Sequence, residues 1–180
     1  FHYLLNGLYN DRKRTGMLAG MITKDIEKII SRLRRNADRF YDELLSWENG
    51  KAPKNLRVRR PNFVPNVLSQ ELMQLYHLMA ELVTGIEDEG DELEFRNYMT
   101  RVLAMAENIR SFIEHTSPEY VYWVELTKRP KPRWELNAKP IQVGDLLQDY
   151  LFSNVRASVM TSATLTIGQK SSFQYCLEEF

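Results

Sequence analysis

Short hydroxyl side chains cluster near the end of the chain, immediately after an apolar segment. The apolar segment is Val155–Met160, and it is followed directly by Thr161, Ser162, Ala163 and Thr164. Serine and threonine hydroxyls both donate and accept hydrogen bonds. The pattern indicates a strand that ends in a group of short hydrogen-bonding side chains. The alternative interpretation is a strand that runs into an ordinary polar turn.

Two basic stretches could bind the phosphates of a nucleic acid. The first contains no acidic residue and consists of Lys51, Lys54, Arg57, Arg59 and Arg60. The second lies beside Trp134 and consists of Lys128, Arg129, Lys131 and Arg133. Grooves that bind single strands combine cations for the phosphates with rings that stack on bases. We therefore predict contact with single-stranded DNA at these stretches. The alternative is that both are solvated loops and that Trp123 and Trp134 pack against helices.

Composition excludes several classes of protein. The 180 residues include 24 basic and 24 acidic side chains, so the formal net charge is zero and gives no global nucleic-acid or membrane signature. Cys176 is the only cysteine, which excludes an internal disulfide and a cysteine-ligated metal or iron–sulfur site within this chain. One cysteine also fits a reducing cytoplasm. No apolar run approaches the ~20 residues that span a bilayer.

The sequence has no motif that would hold the phosphates of ATP. A phosphate loop requires glycine before its Lys-Ser or Lys-Thr pair, but Gln169 precedes the pair in "IGQKSS". The acidic stretch "EDEGDELE" lacks the order of an Asp-Glu-x-His box. We therefore expect this chain alone neither to bind ATP with magnesium nor to hydrolyse it.

Helical periodicity dominates the first two thirds of the chain. Apolar residues recur every three or four positions over Ile22–Trp47, Leu68–Ile86 and Phe95–Phe112. This spacing places them on one face of each helix. We predict a mainly α fold, an antiparallel bundle of three or four helices.

The predicted helix starts carry capping residues. Ser69 follows Pro65 and has the residue type of an N-cap. Asp91, with Glu94 three residues later, has the spacing of a capping box after a turn at Gly90.

The last third of the chain has a different pattern. Aromatic and β-branched residues alternate on both sides of a proline-containing loop, which predicts a β-hairpin at about 120–138. A short helix is predicted at Val143–Phe152, and a strand follows at Val155–Met160. The chain begins without Met and inside a helical pattern, so we interpret it as a piece of a longer protein.

The hydroxyl cluster and its flanks resemble a known family. "SVMTSATLTIG" resembles motif III, the Ser-Ala-Thr box, of superfamily-two helicases, in the form found in the XPD and DinG families. "FHYLLNGLYNDRKRTGML", "YVYWVEL", "WELNAKPIQVGDLLQDYLF" and "SSFQYCLEEF" occur in the same order as in DinG-like proteins. The resemblance covers essentially the whole chain.

The resemblance implies a division of the chain and a function. Residues 1–152 would be the arch-type insertion of an ATP-dependent DNA helicase, which guides single-stranded DNA. Residues 153–180 would belong to the first RecA-like motor domain. There Thr161, Ser162 and Thr164 would relay loss of the γ-phosphate to the nucleic-acid groove, with Ala163 keeping the backbone close. ATP and magnesium would bind elsewhere in the parent, and an iron–sulfur cluster could only lie outside this chain.

Two other functions remain open from the residues. One is a helical adaptor that binds a partner protein, and the other is a single-strand-binding module without a motor. If the chain is a piece of a helicase, its partners are DNA and the rest of the helicase chain. The strand from about Asn154 would then have lost its sheet neighbours, so we expect it to be poorly ordered or held by a non-native contact such as a dimer.

Overall fold

The computed structural model describes residues 1–46, 55–127 and 133–159. Most of these residues are helical and the strands form one small antiparallel sheet, which confirms the predicted mainly α fold. The elements are α1 (His2–Leu8), α2 (Lys24–Ser46), β1 (Asn55–Val58), α3 (Leu68–Leu82), α4 (Glu89–Glu114), β2 (Tyr120–Thr127), β3 (Arg133–Pro140) and α5 (Gly144–Tyr150). Short 3₁₀ turns follow α3 and α5, at Val83–Gly85 and Phe152–Asn154.

The longest predicted apolar stripe forms one helix, α2, as expected. Thr23 precedes the helix, and its Oγ1 accepts a hydrogen bond from the Ile26 backbone N–H at 3.3 Å. Asp25 and Glu27 lie in the first turn, where carboxylates interact favourably with the positive end of the helix dipole. The apolar stripe is buried and consists of Ile26, Ile30, Leu33, Ala37, Phe40 and Leu44.

The starts of α3 and α4 differ from the predicted caps. Ser69 lies within the first turn of α3, and the Oδ1 atom of Asn66 accepts hydrogen bonds from its N–H at 3.4 Å and its hydroxyl at 2.7 Å. The cap of α4 is Asp88, whose side chain accepts from the Asp91 backbone N–H at 2.9 Å. The predicted roles of Ser69 and of Asp91 with Glu94 were therefore wrong, because acceptors three residues upstream satisfy the free N–H groups.

Residues Phe1–Pro118 and Tyr122–Ala138 form one compact unit, called unit 1 below. Within it α3 packs against both α2 and α4, and α1 contacts α2 and α4. The core side chains that these helices contribute include Leu5, Leu33, Leu72, Leu75 and Phe95, each 0% exposed. Burial of this apolar surface is the main force that holds the helices together.

Two arginines of α2 join it to neighbouring segments of unit 1. Arg34 forms an ion pair with Asp11 and donates a hydrogen bond to the backbone oxygen of Tyr9 at 2.5 Å. The Nε atom of Arg32 lies 2.6 Å from Oε1 of Glu71, a carboxylate almost buried on α3. Both guanidinium groups therefore stabilise contacts between α2 and neighbouring segments.

The strands form one three-stranded sheet of order β1-β2-β3. Strands β2 and β3 are the predicted hairpin, whereas β1 lies in the first basic stretch, for which no strand was predicted. β1 pairs antiparallel with β2, placing Leu56 opposite Val124 and Val58 opposite Tyr122. These four side chains are buried, so their burial explains why so short a segment forms a strand.

Residues Glu119–Val121 and the chain from Lys139 onward form a second compact unit, unit 2. The Ile141 N–H donates to the backbone oxygen of Glu119 at 2.8 Å. Helix α5 and its 3₁₀ turn occupy the predicted helix, and Asn154 donates from Nδ2 to the backbone oxygen of Asp149 at 3.0 Å. No residue of α5 is buried.

Residues 155–159 form no strand, and both valines among them are exposed, Val159 at 90%. The remainder of the predicted strand and the hydroxyl cluster Thr161–Thr164 lie outside the described residues. The boundary between 1–152 and 153–180 and its RecA-like assignment stay predictions. In the described ranges no helix combines the length and apolar character needed to cross a membrane.

Candidate nucleic-acid interface

Strand β1 turns one of the predicted basic residues outward. Successive side chains of a strand point to opposite faces of the sheet. Leu56 and Val58 are 6% and 2% exposed, so they fix the inner face, and Arg57 between them is exposed on the outer face. The short strand therefore supports a guanidinium group on a sheet whose other side is buried.

The loop after β1 is anchored to the end of α4. Asn62 has a left-handed backbone with φ of 54°, a conformation that asparagine tolerates better than most residues. Its N–H donates to the backbone oxygen of Ile113 at 2.7 Å. Farther along, Nδ2 of Asn66 donates to Oε1 of Glu114 at 3.2 Å. These bonds fix the position of Arg59 and Arg60, which lie between the strand and Asn62.

An aromatic cluster packs behind the loop. Phe63 meets Phe112 edge-to-face with centroids 6.0 Å apart, and Phe112 meets Tyr122 in the same way at 5.7 Å. The His115 ring stacks on Tyr122 at 4.1 Å with an interplanar angle of 4°. Burial lowers the pKa of His115, which keeps the imidazole neutral near pH 7. The cluster is therefore uncharged and joins α4, β2 and the basic loop.

Three exposed arginines border an open groove of about 560 Å³, lined by Leu56, Arg57 and the run Arg59–Phe63. We call Arg57, Arg59 and Arg60 the arginine groove. Within the part of the chain that the structure describes, none of the three forms an ion pair or a side-chain hydrogen bond. Some of the other described arginines are paired with carboxylates, namely Arg32, Arg34, Arg39 and Arg96. The groove thus presents three free positive charges on a fixed backbone, an arrangement suited to phosphate groups.

The other predicted site residues are not brought together with the groove by any described contact. Arg133 is the first residue of β3. Lys51, Lys54, Lys128, Arg129, Lys131 and the cluster Thr161, Ser162, Ala163 and Thr164 lie outside the described residues. Across the described ranges, no group of three or more His, Cys, Asp or Glu side chains could hold a metal ion.

Two features of this site were not predicted from the sequence. Asn62 and Phe63 follow the basic stretch and were not among the predicted site residues, although they fix the loop to α4 and to the aromatic cluster. Packing against helices was the alternative prediction for Trp123. In the structure Tyr122 and Val124 are both buried, so Trp123 between them lies on the other face of the strand.

The fold and this surface define a helical unit that carries a small sheet and a basic groove. The chain is similar to the 3'-5' exonuclease DinG of Bacillus subtilis (strain 168), with 23% identity over 180 residues that cover 86% of this chain. It spans 19% of the length of that protein. A second similarity, 26% over 97 residues, is to surfactin synthase subunit 2 of the same strain and covers 49% of this chain but 3% of that protein. No family model and no solved structure matches.

Proposed function

We propose that this chain is part of a DinG-like DNA-processing enzyme, in which unit 1 guides a single strand of DNA along the arginine groove. The observation that carries the proposal is the arginine groove itself, with three exposed guanidinium groups free of described partners. The distant similarity to DinG over most of the chain supports a DNA-processing context.

The chemistry of the groove favours a flexible, sequence-independent ligand. Guanidinium groups bind phosphate oxygens in pairs of parallel hydrogen bonds and release condensed counterions. The backbone that presents them is held by Asn62 on Ile113, so little ordering accompanies binding. A single strand can follow so short a row of charges, and contacts between guanidinium groups and phosphates carry no sequence information.

Replacing Arg57, Arg59 and Arg60 together by alanine should weaken binding of a fluorescent oligo-dT about 10- to 100-fold at roughly 0.1 M salt. The loss follows from three phosphate contacts removed at once. Fluorescence anisotropy measures the affinity. The matched control replaces Arg12, Lys13 and Arg35, three exposed basic residues elsewhere in unit 1, and removes the same charge. Equal losses in the two variants would mean that only net charge matters, and would contradict the proposal.

The remainder of the proposed enzyme would bind ATP and magnesium, for which this sequence has no phosphate loop or acidic box. We place Thr161, Ser162, Ala163 and Thr164 in a motor domain as the element that couples ATP hydrolysis to strand separation. The support is their resemblance to motif III and their position after an apolar segment.

In the full-length enzyme, the double substitution Ser162→Ala with Thr164→Ala should reduce strand separation about tenfold or more while ATP turnover largely remains. The hydroxyls would be lost as hydrogen-bond donors and acceptors without a large change in volume. Parallel assays of phosphate release and duplex unwinding measure the two activities. Thr166→Ala, a hydroxyl in the same segment, is the control. If the double variant retains both ATP turnover and strand separation, Ser162 and Thr164 do not couple the two activities.

The rest of the enzyme is also the proposed partner of unit 2. Several large apolar side chains are exposed there: Ile141, Val143, Tyr150, Leu151, Val155 and Val159. The alternative occupant is a second copy of this chain, which would appear as a concentration-dependent dimer.

A further inference from the structure

We infer that Trp123 is the base-stacking residue of this interface, so that the ligand class is single-stranded nucleic acid with accessible base faces. This inference deepens the proposed function and rests on it. In the pairing of β1 with β2, Trp123 lies directly opposite Arg57.

Burial of the neighbouring residues fixes the face on which Trp123 lies. Tyr122 and Val124 are 3% and 1% exposed, and they lie opposite the buried Val58 and Leu56. Because side chains alternate along a strand, Trp123 shares the outer face with Arg57. Side chains directly opposite each other in an antiparallel pair have Cβ atoms about 4.5–5.5 Å apart. The outer face therefore places an indole beside a free guanidinium group.

The indole of Trp123 is partly exposed, and within the described residues it makes no ring–ring contact. This contrasts with the aromatic residues of the inner face, where Phe63, Phe112 and Tyr122 form a continuous cluster. A large aromatic ring on a wet surface next to a cation suits a base stacked on the ring with its phosphate on the cation. Duplex DNA offers no such base face, because its bases are already stacked on each other.

Charges on the outer face of the sheet would set the direction in which a bound DNA strand runs. Glu125 shares this face but lies opposite Asn55, at one end of β1. Arg59 and Arg60 follow the other end. Phosphates would therefore run from Arg57 toward Arg59 and Arg60 and away from the carboxylate, while a base next to Arg57 reaches Trp123. A partner protein bound here would need an acidic surface to pair with the arginines. Its binding would not depend on the presence of nucleic-acid bases.

The test compares oligo-dT with an abasic oligonucleotide of equal length, which keeps the phosphates and lacks the bases. With the 180-residue chain, Trp123→Ala should weaken oligo-dT binding about tenfold or more. The affinity of this variant for the abasic strand, and the salt dependence of its DNA binding, should stay unchanged. Trp123→Tyr retains a stacking ring and should keep most of the oligo-dT affinity. Melting temperatures of both variants verify the fold.

The outcomes separate this inference from the proposed function. Loss of binding in the arginine variant, together with full oligo-dT affinity in Trp123→Ala, would overturn stacking alone. Unchanged binding in the arginine variant would overturn the proposed function, and with it the inference that rests on it. If Trp123→Ala does not fold, equal affinity of the unsubstituted chain for oligo-dT and the abasic strand overturns the inference. A change of oligomeric state in Trp123→Ala with unchanged DNA affinity would instead assign the indole to contact between copies.

Discussion

Replacing Gly16 by alanine is expected to lower the free energy of unfolding by about 3 kcal/mol. Gly16 has φ of +130°, a backbone conformation that residues with a Cβ atom rarely adopt. An added Cβ would lie 2.6 Å from the backbone oxygen of Leu8 and 2.9 Å from that of Gly7. These atoms belong to α1, so they cannot move aside as a flexible side chain could.

The strain would act on the hydrogen bonds that fold the N-terminal segment back on α1. Met17 donates from its N–H to the Gly7 oxygen, and Leu18 donates to the Leu8 oxygen, each at 3.0 Å. Urea unfolding followed by circular dichroism measures the change. Gly20→Ala is the matched control, since no atom lies within 4 Å of its added Cβ, and it should stay within about 0.5 kcal/mol of the unsubstituted chain. Similar stabilities for the two variants would contradict the assigned geometry.

Phe95→Ala is expected to lower the free energy of unfolding by about 3–5 kcal/mol. Phe95 is 0% exposed and is the largest fully buried side chain in the described part of the chain. Its truncation removes buried apolar surface and leaves a cavity in a close-packed helix interface. Leu93 lies two positions earlier on α4 and is 63% exposed, so Leu93→Ala should change stability by less than about 0.5 kcal/mol.

Thermal and urea unfolding of both α4 variants provide the measurement. Both substitutions shorten an apolar side chain on the same helix, and their effects on helix propensity differ by only a few tenths of a kcal/mol. A cost for Leu93→Ala that equals the cost for Phe95→Ala would show that the buried face of α4 has been assigned incorrectly.

The helices were predictable because their information is local. The spacing of apolar residues over Ile22–Trp47 sets one face of a helix, and α2 spans Lys24–Ser46 of that range. The alternation around 120–138 likewise predicted β2 and β3. Each helix start depends on a single acceptor side chain. Asn66 and Asp88 accept the hydrogen bonds there, and not the predicted Ser69 and Asp91.

Strand β1 was not predictable from its own four residues. Asn55–Val58 forms a strand because Leu56 and Val58 meet Val124 and Tyr122, residues more than sixty positions away. The arginines of the candidate site were recognisable by type and spacing. Their fixed arrangement depends on the bond from Asn62 to Ile113, which no local pattern encodes.

The role of the arginine groove in binding single strands is tested most directly by the salt dependence of oligo-dT binding. The logarithm of the binding constant falls linearly with the logarithm of salt concentration, by about 0.7 per phosphate contact for single strands. Substituting Arg57, Arg59 and Arg60 by alanine should make this slope shallower by about 2, since three contacts are lost. A slope that is the same in the variant and in the unsubstituted chain would contradict the account.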